Sequence, residues 1–254
     1  MDEQQTCAAA LAGDGSNGAG GKAEKRPCKT KRAPIGIGVV ATVAVVAGAG
    51  FYVCHEQPSF CNAICHTPMD PILHTYEAEP GQQTTDKWGN DVADASGMLA
   101  SVHRVAGQQA GSDTTCVSCH TPVITEQVTE GMQWVTGSYE TVGNETFGPV
   151  VEEKDLTQLV AARGGSEEQF CLKSGCHVNA DGSVMTRDDL VAATSQYTRN
   201  PHLQQHGATQ CSDCHKAHRA SVNMCSECHS DAPIPQGWIT KEQEAQLPQE
   251  ALAD

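Results

Sequence analysis

Large aromatic side chains are scarce in this chain: four Phe, four Tyr and three Trp make up 4% of 254 residues. So few rings exclude a sizeable side-chain core of the ordinary kind. Positive charge is scarce too. Sixteen Lys and Arg face 31 Asp and Glu, a net charge of −15, which excludes a nucleic-acid-binding role. Long apolar runs are absent but for residues 35–53, IGIGVVATVAVVAGAGFYV, which carry no charge over 19 residues.

What the chain has in quantity is cysteine and histidine, 13 and 11 residues. Five times a cysteine pair is followed directly by histidine: Cys61/Cys65/His66, Cys116/Cys119/His120, Cys171/Cys176/His177, Cys211/Cys214/His215 and Cys225/Cys228/His229. Two thiols at this spacing add to the two vinyl groups of one porphyrin, and the next imidazole is carried under the ring to ligate iron. The first pair encloses three residues and the third encloses four, Leu172, Lys173, Ser174 and Gly175. The rival is a small zinc site formed by Cys211, Cys214, Cys225 and Cys228. Histidine decides against it: five such placements by coincidence have a probability of roughly one in several million.

The reading is therefore covalently attached haem c, five groups per chain, serving as the core that the side chains cannot supply. An apo chain is expected to be largely unfolded. Ten cysteines are consumed, leaving Cys7, Cys28 and Cys54, so a disulfide framework is excluded and these three read as free thiols.

The run at 35–53 is just long enough to cross a hydrocarbon core of about 30 Å as a helix. Ahead of it stand Lys22, Lys25, Arg26, Lys29, Lys31 and Arg32, which puts the N-terminus in the cytoplasm and all five motifs outside, in a single-pass cell-membrane protein. A cleaved signal peptide is the alternative, but its apolar region would be too long and its leader too extended. Residues 1–33 hold six Lys and Arg against four Asp and Glu, a net of +2, so −17 falls on the remainder. A redox partner with a basic docking face is expected.

The domain plan is a disordered cytoplasmic tail at 1–33, an anchor at 34–53, a pentahaem domain at 54–237 and a peripheral tail at 238–254. The first motif lies within about 25 Å of the span even if the linker is fully extended. The fold class is mainly α with extensive loops and little sheet. Thr121 and Pro122 read as N-cap and first residue of a helix whose apolar face, Ile124, Val128, Met132 and Val135, packs on a haem. A short helix is expected over 155–163, stopping at Gly164. Thr186 with Asp189, and Thr240 with Gln243, read as capping boxes.

Outside the motifs lie His55, His74, His103, His202, His206 and His218, together with Met69. They suffice to saturate every iron, which suits electron transfer over bond-breaking at an open iron. His103, His202, His206 and His218 are the preferred distal ligands, with His74 and Met69 as further candidates; His55 stands at the bilayer edge.

A basic-flanked span, then CNAICHTPM, a lone histidine and CVSCHTP, resembles the NapC/NirT family of membrane-anchored multihaem quinol dehydrogenases over residues 22–122. His202 and His206 before CSDCHKAH and CSECH resemble the closing haems of that family and of class III multihaem cytochromes. The resemblance implies a first haem at the membrane surface that accepts electrons from a menaquinol-type quinol, with His66 and Met69 belonging to it. The other haems would conduct to an extracytoplasmic reductase, a flavoprotein being one candidate, in anaerobic respiration. In that family the methionine stands two residues beyond the motif histidine; here it stands three beyond. Most members also carry four haems, where this chain has five motifs. Quinol oxidation releases protons, for which Asp70, Asp86 and Asp91 are candidate acceptors and Lys87 a candidate partner of a quinone oxygen. Two alternatives stand beside this reading. One is a nitrite-type terminal reductase with one open haem, against which all five motifs end in histidine and none in lysine. The other is a membrane-tethered shuttle without quinol contact. Whether the chain counts as an enzyme, as a quinol dehydrogenase subunit, stays open.

Overall fold

A computed structural model describes residues 33–247 apart from 56, 122, 140, 145–147, 152–155 and 162–164. The side chains of Cys61, Cys65 and His66 also lie outside the described residues, as do Cys7, Cys28 and the tail at 1–32. The chain divides into two units, Met1–Ala47 and Gly48–Asp254, and the second holds every motif.

Helix α1 (Ala33–His55) is rich in Ala, Val and Gly and contains one stretch, Gly36–Cys54, long and apolar enough to cross a membrane. Its valines and Ile37 are exposed along its length. Helix α2 (Pro58–Glu77) starts directly after it, with Pro at the first turn where no N–H is needed. The Phe60 ring sits edge-on to Phe51, with centroids 5.6 Å apart.

The rest is a set of short helices between loops. Strands β1 (Thr84–Thr85) and β2 (Asp91–Val92) form an antiparallel ribbon before α3 (Leu99–Gln109), and α4 (Cys116–Cys119) is a single turn. Helix α5 (Ile124–Thr136) precedes the hairpin of β3 (Thr141–Asn144) and β4 (Gly148–Val151), then α6 (Leu156–Ala161), α7 (Glu167–Cys171), α8 (Arg187–Ala193) and α9 (Cys211–Cys214). A short parallel pair, β5 (Val222–Asn223) with β6 (Ile239–Thr240), is followed by α10 (Lys241–Gln246). The mainly helical architecture with little sheet is as expected.

Side-chain packing is as thin as the composition requires. The buried apolar cluster among the described residues is Val92, Ala95, Met98 and Ala220, with Ala78 and Ile239 against it. Backbone hydrogen bonds carry much of the closure: Leu99 and Ala100 N–H donate to the carbonyls of Lys216 and Ala217, Ser221 N–H to Gly97, and Ile239 N–H to Ser221. The approach is so close at Gly97 that a Cβ there would collide with the Gly237 carbonyl. Arg104 of α3 reaches back to α2, donating to the carbonyls of Tyr76 at 2.9 Å and Ala78 at 3.1 Å, acceptors that a helix end otherwise leaves unmet.

Two capping boxes fall where the spacing placed them, Thr186 with Asp189 on α8 and Thr240 with Gln243 on α10. The expected helix over 155–163 is present as α6, while Asp155 and Gly164 lie outside the described residues. Helix α5 begins later than expected. Its N-cap is Val123, which is extended, not Thr121; His120 closes the turn of α4 immediately before Thr121, so the new helix starts further on. Its apolar face is exposed, with Ile124, Val128, Met132 and Val135 all more than half accessible, so the expected packing of that face is not made by protein.

From Trp238 to Leu247 the segment set apart as a tail is docked. Glu244 is 5% exposed and bridges Arg219 and Lys241, at 2.6 Å each. Burial alone would raise the Glu244 carboxyl, but hydrogen bonds from Lys241 and Arg219 hold it below its ordinary 4.5. Its contribution is then complete above that value and lost as pH falls through the lower folded one. Glu244→Gln is expected to destabilise the domain by about 2 kcal/mol, below the range for a fully buried pair because Lys241 is partly exposed. Denaturant titration of the holoprotein checks the magnitude, and hydrogen exchange at α10 between pH 6 and pH 3 checks the sign.

Candidate functional site

The motifs adopt the local geometry that double attachment requires. In α4 and α9 the two cysteines stand three residues apart on one turn and share a face. The following histidine closes that turn: His120 N–H donates to Cys116 O at 2.8 Å, His215 N–H to Cys211 O at 2.9 Å, and His229 N–H to Cys225 O at 2.9 Å. The third motif departs, as its longer spacing demands. Cys171 ends α7, and a loop returns through Gly175 at φ +79°, a conformation suited to glycine, before Cys176 N–H donates to Lys173 O at 3.1 Å. The first motif lies within α2.

Each described motif histidine has a second imidazole near it, drawn from elsewhere in the chain. Ring centroids are 6.1 Å apart for His103 and His177, 6.5 Å for His202 and His215, and 6.1 Å for His206 and His229. Separations of this size lie at the wide end of ring–ring contact, and they also match a shared metal. An imidazole nitrogen sits about 2.0 Å from a ligated metal, so two rings on opposite faces of one ion have centroids about 6.3 Å apart. The planes differ: 89° for His103 and His177, 8° for His202 and His215, 38° for His206 and His229. His218 lies near enough to His120 to feel its charge. The residues present fit haem iron held between two imidazoles.

Neighbouring groups fix the tautomers. His103 Nδ1 lies 2.9 Å from the Leu99 carbonyl, an acceptor only, so Nδ1 carries the proton and Nε2 presents its lone pair. Thr75 donates its hydroxyl to Ile72 O, which leaves its oxygen to accept from His218 Nδ1 at 2.8 Å. Thr194 likewise donates to carbonyl-type oxygens of Leu190 and Asn200 and accepts from His202 Nδ1 at 3.1 Å. Three preferred distal histidines are thus held with Nε2 free, the arrangement that orients a metal-ligating imidazole.

His74 differs: its Nε2 faces Thr84 Oγ1 at 3.0 Å. Met69 is half-buried on α2. Burial lowers His177 and His202, lowers His215 to about 4, where His202 and His177 add to it, and lowers His218 to about 3, where His120 and Lys87 add to it. These imidazoles are neutral at physiological pH, the form that ligates.

The carboxylates singled out for proton transfer separate. Asp70 and Asp91 are exposed, whereas Asp86 is 2% exposed and accepts from Trp88 N, Asn90 N and Asn90 Nδ2 at 2.8–2.9 Å. Asp86 thereby holds the turn from which Lys87 N–H donates to the His218 carbonyl, and Lys87 Nζ lies over the Trp88 ring. Sequence reasoning missed Thr75, Thr194, Glu167 and Trp238. Glu167 is 5% exposed and accepts from Ser212, and Trp238 stands edge-on to His215 at 5.0 Å. A threonine or tryptophan far from a motif carries no spacing signal.

Thr75→Val is expected to leave His218 Nδ1–H without an acceptor, costing about 1–2 kcal/mol and altering the low-spin EPR signal of one iron while the others stay unchanged. Thr75→Ser should restore both readouts.

Comparison with known proteins agrees with this chemistry. The family described as Cytochrome c3 matches residues 157–230. The cytochrome c-type protein Cgr1 of Eggerthella lenta is 50% identical over 212 residues, 84% of this chain and 89% of that protein. No solved structure matches. With paired imidazoles behind its cysteine motifs and half its residues shared with a c-type cytochrome over most of both lengths, the chain belongs to that family: it is a multihaem c-type cytochrome carrying covalently bound haem c, and its work is electron transfer.

Proposed function

We propose that this protein is a membrane-anchored pentahaem wire that takes electrons from the quinol pool and delivers them to an extracytoplasmic reductase, as its resemblance to the NapC/NirT family implies. The observation that carries the electron-transfer part is the set of paired imidazoles. His103 with His177, His202 with His215 and His206 with His229 would each close both faces of an iron, and His218 is placed to do the same opposite His120. Haem c supplies a one-electron centre in which iron cycles between two oxidation states without making or breaking a bond. Saturated coordination leaves no position for a substrate oxyanion at these four sites, which disfavours the nitrite-type reductase.

The quinol-facing part rests on α1 and α2. The end of the apolar helix meets α2 through Phe51 and Phe60, and α2 carries the first motif, Met69 and His74. Quinol oxidation releases two electrons and two protons; exposed Asp70, on the same helix, supports a proton exit there. An acidic outer surface supports a partner with a basic face.

Low-temperature EPR of the oxidised full-length protein in detergent, with a pyridine haemochrome count, tests this. Five haems per chain are expected, with low-spin signals from the four paired sites. The near-parallel His202/His215 pair should give a rhombic signal and the perpendicular His103/His177 pair a strongly anisotropic one. Menadiol, a soluble menaquinol analogue, should reduce the protein. A high-spin signal that tracks one of the paired sites reopens the enzyme reading, and no reduction by menadiol favours the shuttle.

A further inference from the structure

The motif sites meet through their cysteines. Cys119 of the second motif lies within electrostatic reach of both cysteines of the third, Cys176 and Cys171. Cys171 also hydrogen-bonds with Cys211 of the fourth. Cys214, the other cysteine of the fourth, is within reach of Cys225 of the fifth.

Separate groups clamp each junction. Lys173 Nζ donates to the Ser118 carbonyl at 3.4 Å, tying the third motif to the second. Glu167, on the helix that ends at Cys171, accepts from Ser212 N at 3.1 Å and Ser212 Oγ at 2.8 Å, tying the third to the fourth. The Met224 N–H donates to the Cys214 thiol, tying the fourth to the fifth. The imidazoles keep the same order: His215 feels its own partner, His202, and both rings of the preceding site, His177 and His103.

The two ends differ. The second motif is gripped by α2, where the Tyr76 hydroxyl donates to Thr114 O at 2.9 Å beside Cys116 and Thr75 holds His218. At the far end the fifth motif has no later motif to meet, and Cys228 is exposed, as Cys119 and Cys176 also are at the first junction.

We infer that motifs two to five form one unbranched series in chain order, entered beside α2 and left beside Cys228, with Glu167 and Lys173 as positioning residues at its junctions. The inference rests on the electron-transfer reading above and adds the order. Thioether cysteines mark the porphyrin edge, so cysteines that meet bring two conjugated edges together. Haems held by these cysteines would exchange one electron at each junction, one iron losing the electron that the next gains, with no proton transferred and no bond broken.

The test uses full-length protein in detergent with the pair Cys171→Ala/Cys176→Ala, which removes the middle of the series. The haemochrome count should fall by one. Menadiol should then reduce the haems ahead of the gap at the wild-type rate, while the rhombic His202/His215 signal stays oxidised in freeze-quenched samples and disappears only with dithionite. Loss of that signal on the wild-type timescale would overturn the series.

A second measurement does not depend on quinol. In the fully oxidised protein, spin relaxation of the His202/His215 signal should slow when the third or fifth site is removed (Cys225→Ala/Cys228→Ala) and stay unchanged when the second is removed (Cys116→Ala/Cys119→Ala). The reverse pattern would also overturn it. Should a cysteine variant fail to accumulate, His103→Met keeps both attachments at the third site and must alter the relaxation of its neighbour. If menadiol reduces nothing in the wild type, the quinol reading fails while the relaxation pattern still decides the order.

Discussion

A gap of just over 6 Å between paired imidazole rings is the constraint on which the rest of this molecule depends. It lies at the wide end of what two rings use to stabilise one another and fits a metal ion between them. The rings of His103 and His177 come from distant parts of the chain, while those of His202 and His215 are close in sequence, so an iron held by the first pair would be a long-range crosslink and one held by the second would staple a local loop. With Val92, Ala95, Met98 and Ala220 as the buried apolar cluster among the described residues, cohesion that another fold would draw from aromatic packing would fall to such crosslinks and the porphyrins they would hold.

Much of the candidate site was legible because attachment chemistry imposes short-range spacing. Cysteine pairs and their histidines are local in sequence, and so are the capping boxes at Thr186 and Thr240. The partners of the motif histidines were legible as a set, since His103, His202, His206 and His218 had no other evident duty, but which served which was not. Pairing is a property of three-dimensional approach. Thr75 and Thr194 are further removed still: only the folded chain shows that their hydroxyl protons go elsewhere and leave an oxygen to receive an imidazole N–H. The start of α5 was misread because a Thr-Pro pair looks like a helix start, although here it directly follows the turn of α4.

Charge is distributed unevenly against an acidic background. Lys87 is nearly buried beside His218, and Arg219 lies over the same Trp88 ring while pairing with Glu244. Cations in a low-dielectric setting favour the more reduced, less positive state of a nearby iron. Glu167, at the junction of the third and fourth motifs, acts in the opposite sense. The protein's own charges therefore differentiate sites whose ligand sets are alike.

The histidine that faces the second motif arrives last. His218 follows His120 by most of the domain, and the carbonyls of residues 216–218 close onto Leu99, Ala100 and Lys87. A chain emerging from its N-terminus can attach porphyrin at Cys116 and Cys119 long before His218 exists to complete that iron. Until then a haem held there would lack the second imidazole. Biogenesis would thus carry a window of vulnerability to stray ligands and oxidants, one that closes only when the C-terminal third folds back.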